Sequence, residues 1–101
     1  MIRYEFAADR VVAIKNKSKA DPQEIGEALE EIRLKHQGEL KPRDTLQEAR
    51  QRSHPLHKFF EWNDSVAAER HRLVQARSLI TSIVRISDKP GEEREAPAFV
   101  T

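Results

Sequence analysis

A chain of 101 residues is sufficient for one domain with a modest core, and it is too short to hold a large cleft between domains. The absence of cysteine excludes disulfides, thiolate metal sites and cysteine nucleophiles together. A net charge of +1 excludes bulk basicity as a reason to bind nucleic acid, although 35% of the residues are charged. We therefore expect a single domain over residues 1–101 with a strongly solvated surface.

The distribution of charge is more informative than its total. Residues 21–40 are acidic, and basic blocks lie on either side of them over 1–20 and 41–60. No apolar run approaches the roughly 18 residues of a membrane span, and residues 1–6 lack the apolar region of a signal peptide. With no cysteine to suggest an oxidising compartment, these features indicate a cytoplasmic protein without a membrane partner.

The first predicted element is a strand near the N-terminus. Tyr4 and Phe6 alternate with Glu5, as apolar and polar residues do in a half-buried strand. Aromatic and β-branched residues continue to Ile14, so the extended region is expected to reach the polar, lysine-rich connector at 15–19.

A helix is predicted to follow this connector. Asp21 is a suitable cap, Pro22 suits the first helical position, and Glu24 completes a capping box. Apolar residues then recur at spacings of three and four, so one stripe faces the core. The helix is expected to stop at Gly38, which adopts left-handed backbone conformations without a steric cost.

A second, shorter helix is predicted to begin at Pro42. Lys41 stands where Ser, Thr or Asp is preferred, so the N-terminal cap is weak. Leu46 and Ala49 are expected to face inward. Pro55 prevents the helix from continuing, because the residue before a proline is biased away from helical backbone.

A third helix is predicted over 64–81, with the polar residues at 63–65 as its caps. Its apolar stripe is expected to consist of Val66, Leu73, Ala76 and Ile80, with Leu79 beside it. This spacing makes the third helix part of the same core as the first two.

The remaining segments predict a C-terminal hairpin. The β-branched residues at 82–86 indicate a strand, 88–95 the turn and loop, and 96–100 the returning strand. The elements together indicate an α+β fold, with three helices packed on a small antiparallel sheet. The hairpin forms that sheet, and the N-terminal strand is a candidate third member.

The segment 53–64 holds the only tryptophan and two of the four phenylalanines. Phe59, Phe60 and Trp62 are predicted to fill the junction between the second and third helices; the alternative is a surface that stacks on bases or on a partner. Adjacent phenylalanines cannot point to the same side of a regular element, so one of the two is expected to be partly exposed.

The same segment invites a metal-site interpretation, since zinc is bound by histidine and carboxylate side chains. His54 and His57 lie near Glu61 and Asp64, but Pro55 keeps the two histidines off a regular helix. We expect His57 to bond to backbone and His54 to be solvated. No buried carboxylate pair, glycine-flanked serine or glycine-rich phosphate loop is evident, so we predict no enzyme, no metal and no cofactor.

The clearest functional signal is a group of basic residues on and beside the second and third helices. Clustered arginines attract nucleic-acid phosphates, while the simpler interpretation of each arginine is a solvated, ion-paired surface. The residues predicted to bind DNA or RNA are Arg43, Arg50, Arg52, Arg70 and Arg77.

A protein-interaction or assembly module is the alternative function. An unpaired strand edge near Phe99 offers a template for strand addition, and the Trp62 region offers an aromatic contact. Its partner would be another protein, or further copies of the chain joined through the C-terminal strand.

Short motifs spread over most of the chain carry a family resemblance. They are Leu46-Gln47-Glu48-Ala49-Arg50, Pro55-Leu56-His57, Phe60-Glu61-Trp62-Asn63-Asp64, Ala67-Ala68-Glu69, Arg72-Leu73, Gln75-Ala76-Arg77 and Leu79-Ile80, with Tyr4-Glu5-Phe6 and Ala98-Phe99-Val100 near the ends. In these motifs the chain resembles a family of small uncharacterised proteins from phages and prophages. The resemblance implies a phage or prophage accessory protein, with no established activity and therefore no functional residue to carry over. In that setting the protein partner of the alternative function would be a phage or host protein. Lys41 departs from the Thr or Ser expected before Pro42.

Overall fold

Three helices and one three-stranded antiparallel sheet form the fold in this computed structural model, which describes residues 2–8, 13–86 and 95–99. In chain order the elements are β1 (Arg3–Phe6), α1 (Pro22–Lys35), α2 (Pro42–Ala49), α3 (Glu69–Ser82), β2 (Ile83–Ile86) and β3 (Glu95–Pro97). Short 3-10 helices occupy Lys17–Lys19 and His57–Phe59. The predicted α+β class is confirmed.

The sheet has β2 at its centre, with β1 on one side and β3 on the other. Val84 of β2 has a partner in both neighbouring strands, since it pairs with Glu5 of β1 and with Pro97 of β3. The N-terminal strand is therefore part of the sheet, but it is shorter than predicted, since β1 ends at Phe6 and Ile14 lies in no strand. The predicted hairpin turn lies largely outside the described residues, as do Val11, Val12 and Val100.

Helix α1 begins and ends largely as its sequence predicts. The Asp21 carboxylate caps it by accepting a hydrogen bond of 3.0 Å from the Gln23 N–H, in place of the Glu24 N–H that a capping box uses. Glu24 instead points its carboxylate toward Lys58. At the other end Gly38 has a φ of +86° and donates its N–H to the Arg33 carbonyl at 2.8 Å, which confirms the predicted stop.

Helix α3 begins five residues later than predicted, at Glu69. The Asn63 side chain does not cap it, because its oxygen closes a local turn by accepting from the Ser65 N–H at 3.0 Å and from the Ser65 hydroxyl at 2.7 Å. Val66 lies in this turn with 70% of its surface exposed, so it does not belong to the apolar stripe. Helix α2 matches its prediction: Lys41 provides no side-chain cap.

The core lies where α1, α2 and α3 meet the sheet, and Tyr4 brings β1 into it. Tyr4 packs directly over the backbone of Gly26 in α1: a Cβ at position 26 would lie 2.2 Å from the Tyr4 ring. The Gln23 side chain bonds to the outer edge of β1, donating to the Ile2 carbonyl at 2.8 Å and accepting from the Tyr4 N–H at 2.9 Å. Helix α1 thus covers one edge of the sheet.

The substitution Gly26→Ala tests this close approach. Alanine favours a helix interior over glycine by about 1 kcal/mol. The clash reaches the Tyr4 Cβ as well as the ring, so relief requires a shift of the strand, and we expect a net loss of about 2 kcal/mol in the free energy of unfolding. Urea denaturation measures it, with the exposed neighbour Glu27→Ala as control. A more stable Gly26→Ala protein would contradict the packing described.

Candidate functional site: the Trp62 junction and the arginine surface

The connection between α2 and α3 is a buried junction. Both Phe59 and Phe60 are fully buried, so the expectation that one of them is partly exposed is wrong. The 3-10 helix ends at Phe59, and Phe60 adopts an extended backbone (φ −109°, ψ 150°). Because the chain changes from helical to extended between them, the two rings enter the core from successive residues.

Trp62 is held at this junction by His57. The indole N–H donates to the His57 carbonyl at 2.8 Å, and the two rings stack with their centroids 4.8 Å apart. The His57 Nδ1 lies 2.8 Å from the Ala49 carbonyl, which can only accept, so Nδ1 carries the proton. The predicted backbone bond of His57 is confirmed. With one ring face covered, Trp62 serves the junction and is not a bare platform for stacking bases.

Arg72 is the polar centre of the junction, and the sequence-based site prediction omits it. Only 6% of its surface is exposed. Its Nε donates to the Glu61 carbonyl at 2.7 Å, and its terminal nitrogen donates to the Asp64 carboxylate at 2.6 Å. The guanidinium carbon lies 5.5 Å from the centre of the Trp62 ring. Asp64 is thus a partner of α3 rather than its first residue.

The burial of Arg72 could have been predicted from its spacing relative to the apolar residues of α3. Position 72 precedes Ala76, Leu79 and Ile80 by four, seven and eight residues, which places it on the buried stripe of α3. A basic residue on such a stripe requires polar partners, because an unpaired buried charge is costly. Gln75 follows the same logic: it is buried, and its side-chain oxygen accepts from the Glu61 N–H at 3.1 Å.

Arg50 joins the end of α2 to the start of α3. One of its terminal nitrogens donates to both carboxylate oxygens of Glu69, and its guanidinium carbon lies 5.9 Å from the centre of the Trp62 ring. Glu69 also approaches Arg72 at 4.0 Å. The charge of Arg50 is therefore matched within the junction.

The other four predicted arginines are exposed on α2, in the turn after it and on α3, and together we call them the arginine surface: Arg43, Arg52, Arg70 and Arg77. None of them forms an ion pair within the part of the chain that the structure describes.

Helical periodicity places Arg70 and Arg77 on one face of α3, since they are seven residues apart. The same spacing places Arg43 on the side of α2 that also carries Arg50. The Arg50–Glu69 contact shows that this side of α2 is turned to α3. The sequence from 70 to 86 contains no acidic residue, so nothing on α3 beyond Glu69 offsets its arginines.

The histidine that was expected to be solvated, His54, is half-buried instead. Its Nδ1 accepts from the Leu56 N–H at 3.1 Å, and burial lowers the pKa of its ring. It lines a cleft of about 230 Å³ with the Lys35–Glu48 ion pair. No group of three or more histidine, aspartate or glutamate side chains in the described residues is arranged to hold a metal ion.

Glu61 connects the junction to the N-terminal segment. Its carboxylate lies 2.9 Å from the Lys15 ammonium and accepts from the Asn63 N–H at 3.0 Å. The Lys15 contact, followed by the Asn63 N–H, holds the pKa of Glu61 below its usual range.

Comparison of this chain with models of protein families, with curated proteins and with solved structures found no match. The phage or prophage setting therefore stays a prediction. Within the described residues no helix combines the length and the apolar character needed to cross a membrane.

The substitution Arg72→Met tests whether the buried guanidinium holds the junction together. Methionine preserves much of the apolar stem but leaves the Glu61 carbonyl and the Asp64 carboxylate without their donor. We expect the free energy of unfolding to fall by about 2 kcal/mol. Urea denaturation measures it. Arg70→Ala, two residues away and exposed, is expected to stay within about 0.5 kcal/mol; equal losses in the two variants would refute a structural role for Arg72.

The substitution Glu61→Gln tests the lowered pKa through the pH dependence of stability. The pKa of Glu61 is lower in the folded protein than the roughly 4.3 expected when unfolded. The stabilisation that its carboxylate contributes is therefore present above that pH and is lost as the pH falls through the pKa of the folded protein. Urea midpoints at about pH 6 and about pH 3 should differ less in Glu61→Gln than in the original chain. Glu27→Gln is the control because it leaves the Lys15 contact intact. An unchanged pH dependence in Glu61→Gln would contradict this assignment.

Proposed function

We propose that this protein is a non-enzymatic accessory protein, of phage or prophage origin, that binds nucleic acid through the arginine surface. The observation that carries the proposal is a set of four exposed arginines without ion-pair partners among the described residues. Arg43 lies on α2 and Arg70 and Arg77 on α3, two helices that pack together, and Arg52 lies in the turn that follows α2. Guanidinium groups bind phosphate oxygens well, because their planar array of donors matches the phosphate geometry.

The expected binding is weak and strongly dependent on salt. If all four arginines neutralise phosphates of duplex DNA, the logarithm of the binding constant falls with a slope of about −3.6 against the logarithm of salt concentration. The affinity then drops about 100-fold between about 50 mM and about 200 mM salt. Contacts of this kind position a protein on the phosphate backbone and carry little sequence information.

The geometry of the sheet gives the assembly alternative less support. The Ala98 N–H bonds to the Ile83 carbonyl, so the alternation of the ladder turns Pro97 toward the outer edge of β3. Proline has no N–H to donate there, and such residues discourage the addition of a further strand. On the opposite edge the Gln23 side chain already occupies backbone groups of β1.

The experiment is a salt-titrated binding assay on a labelled DNA duplex, repeated with single-stranded DNA and with RNA to identify the preferred form. The double substitution Arg70→Ala/Arg77→Ala is expected to weaken binding at low salt and to reduce the magnitude of the slope by about 2. Arg3→Ala, which removes an arginine on β1, is the matched control and is expected to bind as the original chain does.

Arg50→Ala separates the two roles assigned to the arginines. Because Arg50 is paired with Glu69, removal of its side chain is expected to lower the urea midpoint of unfolding. The slope of the binding constant against salt concentration is expected to stay nearly unchanged. Absence of binding to all three nucleic acids at low salt, or equal binding by Arg70→Ala/Arg77→Ala and the original chain, would overturn the proposed function.

A further inference from the structure

The exposed side of α1 has the opposite charge to the arginine surface. Two of its four glutamates are already engaged: Glu30 bonds to Arg33, and Glu24 lies 3.4 Å from Lys58. The other two, Glu27 and Glu31, are exposed and form no ion pair with any residue that the structure describes. These two are separated by one helical turn and therefore point the same way.

An apolar groove of about 350 Å³ lies beside these two glutamates, where α1 meets β1. Ile2 and Leu34 form its walls, with 46% and 64% of their surfaces exposed. They are two of the four large apolar side chains that are exposed in the described residues. We call the groove and its acidic rim the α1 face, lined by Ile2, Tyr4, Glu27, Glu30, Glu31 and Leu34. Exposed apolar surface with a polar rim is typical of an interaction site.

Helix α3 carries the counterpart of this arrangement. Val74, with 51% of its surface exposed, lies between Arg70 and Arg77 on one side of the helix. We call these three residues the α3 face. Each face thus combines exposed apolar side chains with charges of one sign, and the two signs are opposite.

The two faces lie on two different helices, each of which packs against α2. Helix α2 stands between α1 and α3, since Glu48 of α2 bonds to Lys35 of α1 while Arg50 at its end bonds to Glu69 of α3. One copy of the chain therefore cannot bring its own α1 face onto its own α3 face. Two copies can, and each would present the complementary charge to the other.

We propose that this protein associates with further copies of itself, the α1 face of one copy docking on the α3 face of the next. Such a contact joins two different surfaces, so it continues from copy to copy and produces closed rings or open filaments. The proposal does not rest on nucleic-acid binding. Arg70 and Arg77 belong to both surfaces, however, so nucleic acid and self-association compete for them.

The chemistry of the contact predicts its salt dependence. The glutamates and arginines lie at a solvated rim, where each ion pair adds little and is screened over about 8 Å at physiological ionic strength. Burial of Leu34, Ile2 and Val74 supplies the part of the attraction that salt does not remove. Association is therefore expected to be weak, and at least tenfold tighter at about 50 mM than at about 500 mM salt.

The test is sedimentation velocity on the full chain with charge reversal at each face. Glu27→Arg/Glu31→Arg leaves each copy with two basic faces, and Arg70→Glu/Arg77→Glu leaves each copy with two acidic faces. Either variant alone is expected to lose association at least tenfold, and an equimolar mixture of the two is expected to regain it. Circular dichroism verifies that each variant is folded. The substitution Leu34→Asn tests the apolar part of the same groove without changing any charge.

The control reverses an ion pair outside both faces. Glu39 and Lys41 lie 3.2 Å apart in the connection between α1 and α2, and Glu39→Lys/Lys41→Glu is expected to associate as the original chain does. A chain that stays monomeric at low salt up to a concentration on the order of 1 mM would overturn the proposal. Failure of the mixture of folded variants to associate would overturn it as well.

Nucleic-acid binding by the same variants separates this proposal from the proposed function. Glu27→Arg/Glu31→Arg keeps the arginine surface and is expected to bind DNA at least as well as the original chain. Association that the mixture restores, in a protein that binds no nucleic acid, would support self-association and refute only the proposed function.

Discussion

The arrangement of the helical layer depends on the buried guanidinium of Arg72. It reaches from α3 to the Glu61 carbonyl and the Asp64 carboxylate, and it lies against the ring of Trp62. These contacts tie the start of α3 to the chain that leaves α2. A charge at such a position is tolerated because the buried guanidinium keeps a hydrogen bond to the Glu61 carbonyl and an ion pair to the exposed Asp64 carboxylate. The orientation of α3, and with it the direction in which Arg70 and Arg77 point, follows from this junction.

A net charge near zero conceals two surfaces of opposite sign. The α1 face carries exposed glutamates, and the α3 face carries exposed arginines, while other charges of the helical layer form the ion pairs Arg50–Glu69 and Lys35–Glu48. Segregated charge of this kind produces local fields that a total charge does not report. Both proposed interactions draw on those fields, so ionic strength is the variable that controls them together.

The sequence predicted elements wherever a local rule decides the outcome. Asp21-Pro22 starts α1 and Gly38 ends it, because capping and left-handed backbone depend on adjacent residues. The predicted start of α3 was wrong because an Asn side chain such as that of Asn63 can close a turn as well as cap a helix. Packing with the rest of the chain decides between the two. The burial of both Phe59 and Phe60 was missed because it requires a change of backbone conformation between them.

By itself, therefore, the sequence determined the α+β class, the three helices, the pairing potential of the strands and the list of arginines worth testing. Only the tertiary structure decided how those arginines differ, since it pairs Arg50 with Glu69 and leaves the arginine surface exposed, and only it revealed that Arg72, which was not on the list, is buried. It also placed Leu34 and Ile2 beside the exposed Glu27 and Glu31. The physical reason is that helix caps and periodicity act within a few residues, whereas the partner of a charge is chosen by packing between segments far apart in the chain.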